Sequence, residues 1–121
     1  MRFALLMLLV LGSSMAAELP PGPYSCLYAQ VDGKAQEAAM ILTRADDGTL
    51  TIRADGVPMS FTGRIVGDKL YLLHQRIDAE GLQVTQVIAT VGPDGYAAGS
   101  AWRSLNAEVM QKSNFVLKKT P

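Results

Sequence analysis

Chemically active residue types are scarce in this sequence, which contains one cysteine, Cys26, and one histidine, His74. A lone cysteine excludes an internal disulfide, and no Cys-x-x-Cys-His motif is present to attach haem. The two residues fall on different predicted strands, with no third group to orient them as covalent catalysis requires. A lone histidine is also no metal site by spacing. The sequence therefore predicts a protein that is not an enzyme and carries no cofactor.

An excess of charge of either sign is also missing, since 11 Lys and Arg residues face 11 Asp and Glu residues. Nucleic acids and anionic membrane surfaces select basic patches because they are polyanions. Neither is therefore predicted as a partner. Most of the aspartates fall in predicted turns, where the side chain caps the backbone and stays in water, which leaves no protected carboxylate pair for acid–base chemistry.

Long apolar runs are absent except for Phe3–Leu11, which follows the positive start Met1-Arg2. The run is too short to span a membrane, and Ser14-Met15-Ala16 places small residues where a signal peptidase reads them. This layout predicts a signal peptide over residues 1–16. The protein is therefore expected in the periplasm or outside the cell, with no stable membrane insertion after cleavage.

The mature chain is predicted to begin with a short extended arm, residues 17–23, because Pro20-Pro21-Gly22-Pro23 cannot form helix or central strand. Residues 24–121 then form one β-domain of about a hundred residues, enough for a core without metal or disulfides. Within it, Cys26 is interpreted as a small buried hydrophobe. The alternative is an intermolecular disulfide or a reactive thiol.

Regularly spaced Asp-Gly, Gly-Asp and Glu-Gly pairs divide the domain into segments with strand character. Glycine and aspartate favour tight hairpins because these need positive φ angles. Thr49–Ala54 alternates strictly between apolar and polar residues, as a sheet with one buried face requires. In Leu82–Val91 the alternation changes face, which predicts a bulge near Thr85-Gln86. The eight predicted strands are Tyr24–Val31, Ala38–Ala45, Thr49–Ala54, Val57–Ile65, Lys69–Ile77, Leu82–Val91, Tyr96–Arg103 and Asn114–Lys119.

Eight strands joined by short turns form a meander, whose two edges stay exposed unless it closes on itself. The sequence therefore predicts an all-β fold, a single up-and-down antiparallel barrel, with a two-sheet β-sandwich as the alternative. One segment departs from the strand pattern. In Ser104–Lys112 the residues Leu105, Val109 and Lys112 have helical spacing, which predicts a loop with one or two helical turns before the last strand.

Several stretches resemble those of calycin-type small barrels, the group that includes lipocalins and avidins. Gly22-Pro23-Tyr24 opens the first predicted strand where lipocalins typically show Gly-x-Trp, and Asn114–Lys118 resembles their usual final strand. Asp47–Thr51 and Phe61–Arg64 resemble turn-and-strand phrases of avidin-like barrels. The resemblance implies a barrel fold, and it carries no ligand-binding residue to a position of this chain.

Aromatic residues are the remaining candidates for a binding site. Trp102, Tyr96, Tyr71 and Phe61 are expected to bind a ligand, provided that Trp102 and Tyr96 point inward beside small residues. The alternative is a filled interior, because an eight-stranded barrel is barely wide enough for its own side chains.

Two functions follow as hypotheses. The first is an exported, non-enzymatic binding protein for a small apolar or amphipathic ligand held at one end of the barrel. The second is a protein-interaction module, such as an inhibitor or immunity protein for a secreted or cell-wall enzyme. Leu105, Val109 and Met110 would then form an exposed apolar patch if they do not pack inward.

Overall fold

The protein is a closed antiparallel barrel of eight strands in sequence order, seen in a computed structural model that describes residues 18–29, 34–54 and 60–121. The predicted signal peptide and the predicted turns Asp32-Gly33 and Asp55-Gly56 lie outside these residues. The predicted up-and-down barrel is confirmed, and the sandwich is not what forms. The strands are β1 Gly22–Ala29, β2 Ala35–Arg44, β3 Leu50–Ala54, β4 Ser60–Val66, β5 Lys69–Asp78, β6 Gly81–Gly92, β7 Tyr96–Leu105 and β8 Glu108–Lys119.

Closure depends on the pairing of β1 with β8, from Tyr24 opposite Lys119 to Leu27 opposite Val116. In a closed sheet every strand has a paired neighbour on both sides, so no strand is a free edge strand. Alternate residues of each strand then face the interior. The fully buried side chains with the largest volumes include Tyr24, Phe115, Met40 and Ile52. Bulky residues from opposite walls fill most of the interior, as an eight-stranded barrel allows.

One end of the barrel is closed by the segment before β1. Leu19 is completely buried in the core, and the Arg44 guanidinium donates a hydrogen bond to its carbonyl oxygen at 3.0 Å. The Tyr24 hydroxyl donates to the carbonyl oxygen of Pro20 at 2.6 Å. The described part of the predicted arm therefore packs onto the domain, and β1 begins at Gly22, inside the segment expected to be only a linker.

The predicted bulge in β6 is wrong. β6 pairs with β5 and with β7 without a register shift, and Val87 and Ala89 face inward while Leu82 points outward. The change of face in the sequence comes from apolar residues on the outer surface. The bulge is instead in β8, where Arg103 pairs with Gln111 and the next residue of β7 pairs with Val109, so that one extra residue is inserted.

The segment Ser104–Lys112 forms the tip of the β7–β8 hairpin and has no helical turn. Asn106 and Ala107 make the turn with positive φ angles of 50° and 71°, which suits a two-residue hairpin. The spacing that resembles a helix arises from the bulge, which adds one residue to the period of two. Among the described residues, no helix has the length and apolar character needed to cross a bilayer.

One of the predicted turn carboxylates, Asp47, caps the backbone as the sequence predicts. The Asp47 carboxylate accepts a hydrogen bond from the Thr49 amide at 2.9 Å, and this bond lowers the pKa of Asp47. Asp78 accepts in the same way from the Glu80 amide at 2.9 Å. Both side chains remain in contact with water, so neither is a candidate acid or base.

Candidate functional site

Of the four aromatic residues expected to bind a ligand, only Phe61 faces the barrel interior. Tyr71 lies between the buried Leu70 and Leu72, so strand alternation turns it outward, and it is 43% exposed. Tyr96 precedes the buried Ala97, and Trp102 follows the buried Ala101. Both aromatic residues therefore also lie on the outer surface of β7. The inward orientation expected for Trp102 and Tyr96 is therefore not what the barrel has. The ligand-binding role itself stays a prediction.

Small residues on the inner face of β7 explain this orientation. Ala97 and Ala101 are buried there, and a Cβ at Gly99 would lie 2.1 Å from the carbonyl oxygen of Ile88. Phe115 lies directly opposite Gly99 on the adjacent strand β8 and is buried in the same core as Ala97 and Ala101. The large aromatic residues of β7 are therefore left on the outside.

Phe61 forms part of a cup at the barrel end opposite Leu19. The cup has a volume of about 30 Å³, room for one or two water molecules, whereas sites for drug-sized ligands are about tenfold larger. Within residues 18–29, 34–54 and 60–121, the cup therefore leaves room for little more than water in the barrel interior. The residues that line the cup are Cys26, Tyr28, Phe61, Thr85, Val87, Ala101, Arg103, Gln111, Ser113 and Phe115.

Neither Cys26 nor His74 is prepared for catalysis at this cup. Cys26 is completely buried, and burial raises the pKa of its thiol to about 12, so the nucleophilic thiolate is rare at neutral pH. His74 Nδ1 donates a hydrogen bond to the Ser60 carbonyl oxygen at 2.9 Å, and its ring lies 5.7 Å from that of Phe61. These contacts are typical of a satisfied structural histidine. The interpretation of Cys26 as a buried hydrophobe agrees with this environment.

Among the described residues that line the cup, Arg103 is the one with a charged side chain. Its side chain is half-buried, and it makes no hydrogen bond or ion pair with any residue in the described ranges. A guanidinium has five N–H donors in a fixed fork, a geometry that suits an anionic ligand. Sequence reasoning missed Arg103 because only the β7 register shows which way it points.

A second surface lies on the outside of β5, β6, β7 and β8. Tyr71 pairs with Ile88, and Ile77 pairs with Leu82, so each pair places two outward apolar side chains next to each other. On β7, Trp102 pairs with Gln86 of β6. The Lys112 ammonium on β8 lies 5.6 Å from the centre of the Trp102 ring. We name this surface the outer patch, and its members are Tyr71, Leu73, Ile77, Leu82, Ile88, Trp102 and Val109.

The outer patch keeps large apolar side chains in water. Ile77 is 79% exposed, and Val109 and Met110 are each 62% exposed, so these residues of the β5–β6 and β7–β8 hairpins do not pack inward. Leu105, expected to join them, is half-buried and lies on the inner parity of β7. Two of the predicted site residues, Tyr71 and Trp102, belong to the patch, whereas Tyr96 lies near the other end of the barrel.

No family model matches the sequence, and neither a curated protein nor a solved structure is similar enough to count as a match. The two surfaces described above are therefore the features that indicate a function. The cup offers a small recess with one cation, and the outer patch offers a broad apolar face.

Proposed function

We propose that this protein is a non-enzymatic protein-interaction module that holds its partner on the outer patch. One observation carries the proposal: six large apolar side chains, 37% to 79% exposed, occupy one face of four paired strands around Trp102. Single exposed apolar residues are ordinary on a protein surface, but a contiguous group is typical of an interaction site.

The composition of the outer patch also suits a protein partner. Tryptophan and tyrosine are enriched among residues whose truncation costs a protein interface most, and the patch has Trp102 and Tyr71. Charged residues are few within it, as in the cores of interfaces. An inhibitor or immunity protein for a secreted enzyme needs such a surface and no catalytic groups of its own.

The test compares a patch variant with matched controls in partner capture. The double variant Ile77→Ser and Val109→Ser removes two exposed side chains, and each change is expected to alter stability by less than about 0.5 kcal/mol. The control, Ile41→Ser with Val66→Ser, removes side chains that are 47% and 59% exposed on other strands. Immobilised mature protein is incubated with the periplasmic and extracellular fractions, and quantitative mass spectrometry measures what each variant retains.

The true partner is a protein that both the wild type and the control retain. Its retained amount should be at least about tenfold lower with the patch variant, because losing interface anchors costs more than about 1.4 kcal/mol of binding free energy. Equal retention by the patch variant and the wild type would contradict the proposal. So would the absence of any protein retained by the wild type above a blank resin.

A second candidate function is binding of a small apolar or amphipathic molecule at the cup. The observation that favours it is the convergence of side chains from five strands on one recess with an apolar floor and a polar rim. The volume of about 30 Å³ restricts this candidate to a ligand that inserts only one end.

The place of action is proposed from residues 1–16, which have the layout of a signal peptide and lie outside the described residues. The protein would act in the periplasm or outside the cell. Kinship with lipocalins or avidins is likewise a proposal, supported by the eight-stranded closed barrel and by the phrases at Gly22-Pro23-Tyr24 and Asn114–Lys118.

A further inference from the structure

We propose that the cup binds a carboxylate carried on a short apolar stem, with Arg103 as the group that holds the carboxylate. The inference rests on the second candidate function, since it names the class of ligand for the same recess. It concerns a different surface from the outer patch and does not depend on a protein partner.

The floor of the cup determines that the inserted part of the ligand is apolar and short. Cys26, Val87, Ala101 and Phe115 close the recess from below with apolar atoms, and all four are at most 7% exposed. A polar end pushed into this floor would lose its hydrogen bonds to water without replacement. The volume of about 30 Å³ has room for one or two water molecules, so only the last one or two carbons of a chain fit.

The rim of the cup determines the charge of the ligand's head group. Arg103 lies on β7 next above Ala101 on the same face, so its guanidinium lies between the apolar floor and solvent. No carboxylate is among the residues that line the cup, so the local charge is positive within the described structure. A guanidinium binds a carboxylate with two parallel hydrogen bonds, which makes this pair stronger than one between neutral groups.

Two hydroxyl groups in the cup extend this preference. Thr85 pairs with Arg103 across β6 and β7, and Ser113 of β8 lies one step deeper, opposite Ala101. Their hydroxyl groups donate hydrogen bonds to an anion and carry no charge that would compete with Arg103. A ligand ammonium would meet the arginine charge at close range in a partly desolvated site, so cations are excluded.

The test uses three probes of one size, namely butyrate, 1-butanol and butylammonium. Each is titrated into the mature protein while NMR follows the Arg103 Nε–Hε signal and the backbone amides of Thr85, Ala101 and Ser113. Butyrate is expected to shift these signals saturably, with at least tenfold higher affinity than butanol, and butylammonium is expected not to bind. Tenfold corresponds to about 1.4 kcal/mol.

Three variants separate the causes. Arg103→Gln should reduce the affinity for butyrate to that for butanol, while Arg53→Gln, an exposed arginine on β3, should leave the preference intact. Ala101→Val adds two methyl groups to the floor and should weaken both butyrate and butanol. Amide signal dispersion of each variant shows that the barrel is still folded.

The possible results separate the carboxylate preference from the second candidate function, which is binding of a small molecule at the cup. If butanol binds as well as butyrate, or if the preference survives in Arg103→Gln, the carboxylate inference is overturned and the second candidate function stands. If neither butyrate nor butanol produces a saturable shift at the cup, both are overturned.

Discussion

At the scale of single residues, the parity of a position along its strand decides its chemistry more than its type does. Tyr24 is buried and donates a hydrogen bond, whereas Tyr71 lies partly in water on the outer patch. Arg53 and Arg103 differ in the same way, because one points outward from β3 and the other lines the cup. A residue's type therefore indicates its role only once its face is known.

Cys26 gives a pH-dependent prediction at this scale. Burial raises the pKa of its thiol from 9.0 to about 12, so between these values the folded chain keeps a proton that the unfolded chain has lost. The contribution of this thiol to the free energy of unfolding is complete below pH 9. It then falls by about 1.4 kcal/mol per pH unit as the pH rises toward 12.

Urea unfolding at pH 8 and pH 10 measures this contribution in the wild type and in Cys26→Ala. Burial also raises the pKa of Tyr24, but that residue is present in both proteins and cancels in the comparison. The wild type should lose about 1 kcal/mol more than Cys26→Ala between the two pH values. An equal loss in the two proteins would contradict the burial of the thiol.

At the scale of elements, glycines set how closely neighbouring strands approach on the inner face. A Cβ at Gly63 would lie 1.7 Å from the carbonyl oxygen of Tyr71, and one at Gly99 would lie 2.1 Å from that of Ile88. The obstructing atoms belong to the backbone of adjacent strands, so they cannot rotate away as a side chain would. These two positions allow the sheet to curve tightly enough to close.

Gly63→Ala and Gly99→Ala should each lower the free energy of unfolding by about 3 kcal/mol, because an added methyl group must displace backbone. Gly67→Ala is the matched control. Gly67 has a φ of 65° and no atom within 4 Å of the added Cβ. The Gly67→Ala substitution should therefore lower the free energy of unfolding by only about 1 kcal/mol, through conformational strain. Urea midpoints measure all three, and equal effects would mean that close approach is not what these glycines provide.

At the scale of the whole molecule, the two barrel ends differ in a way that separates stability from binding. One end is sealed by Leu19, held through its carbonyl oxygen by Arg44. The other end holds the cup and the tips of the β5–β6 and β7–β8 hairpins, where apolar side chains remain exposed. The molecule therefore concentrates its closing contacts at one end and its candidate binding groups at the other end and on the outer wall.

Leu19→Ala should destabilise the barrel by about 2 to 5 kcal/mol, because it leaves a cavity where a completely buried side chain fills the core. Leu19→Met keeps the volume and should cost less than about 1.5 kcal/mol. Thermal unfolding of the mature protein measures both variants. If Leu19→Ala unfolds at the same temperature as the wild type, residues 18–21 are only a linker, as the proline-rich sequence alone predicts.

The sequence by itself determined the number of strands, most of their turns and the closure into a barrel. These depend on local rules, namely the alternation in segments such as Thr49–Ala54 and the positive φ angles that glycine and aspartate accept in hairpins. The β8 bulge shows the limit of such rules, since one inserted residue made a strand resemble a helix in Ser104–Lys112.

Only the tertiary structure decided which face of β7 turns inward, because both faces carry small or apolar residues and the local pattern does not distinguish them. Phe115 lies directly opposite Gly99 on the adjacent strand β8, and a Cβ at Gly99 would meet the backbone of β6, so the inner face of β7 has small residues while Trp102 lies outside. The same packing places Arg103 in the cup, Leu19 in the core and the aromatic residues on the outer patch. These placements result from volumes that meet across the barrel, and sequence periodicity contains no information about them.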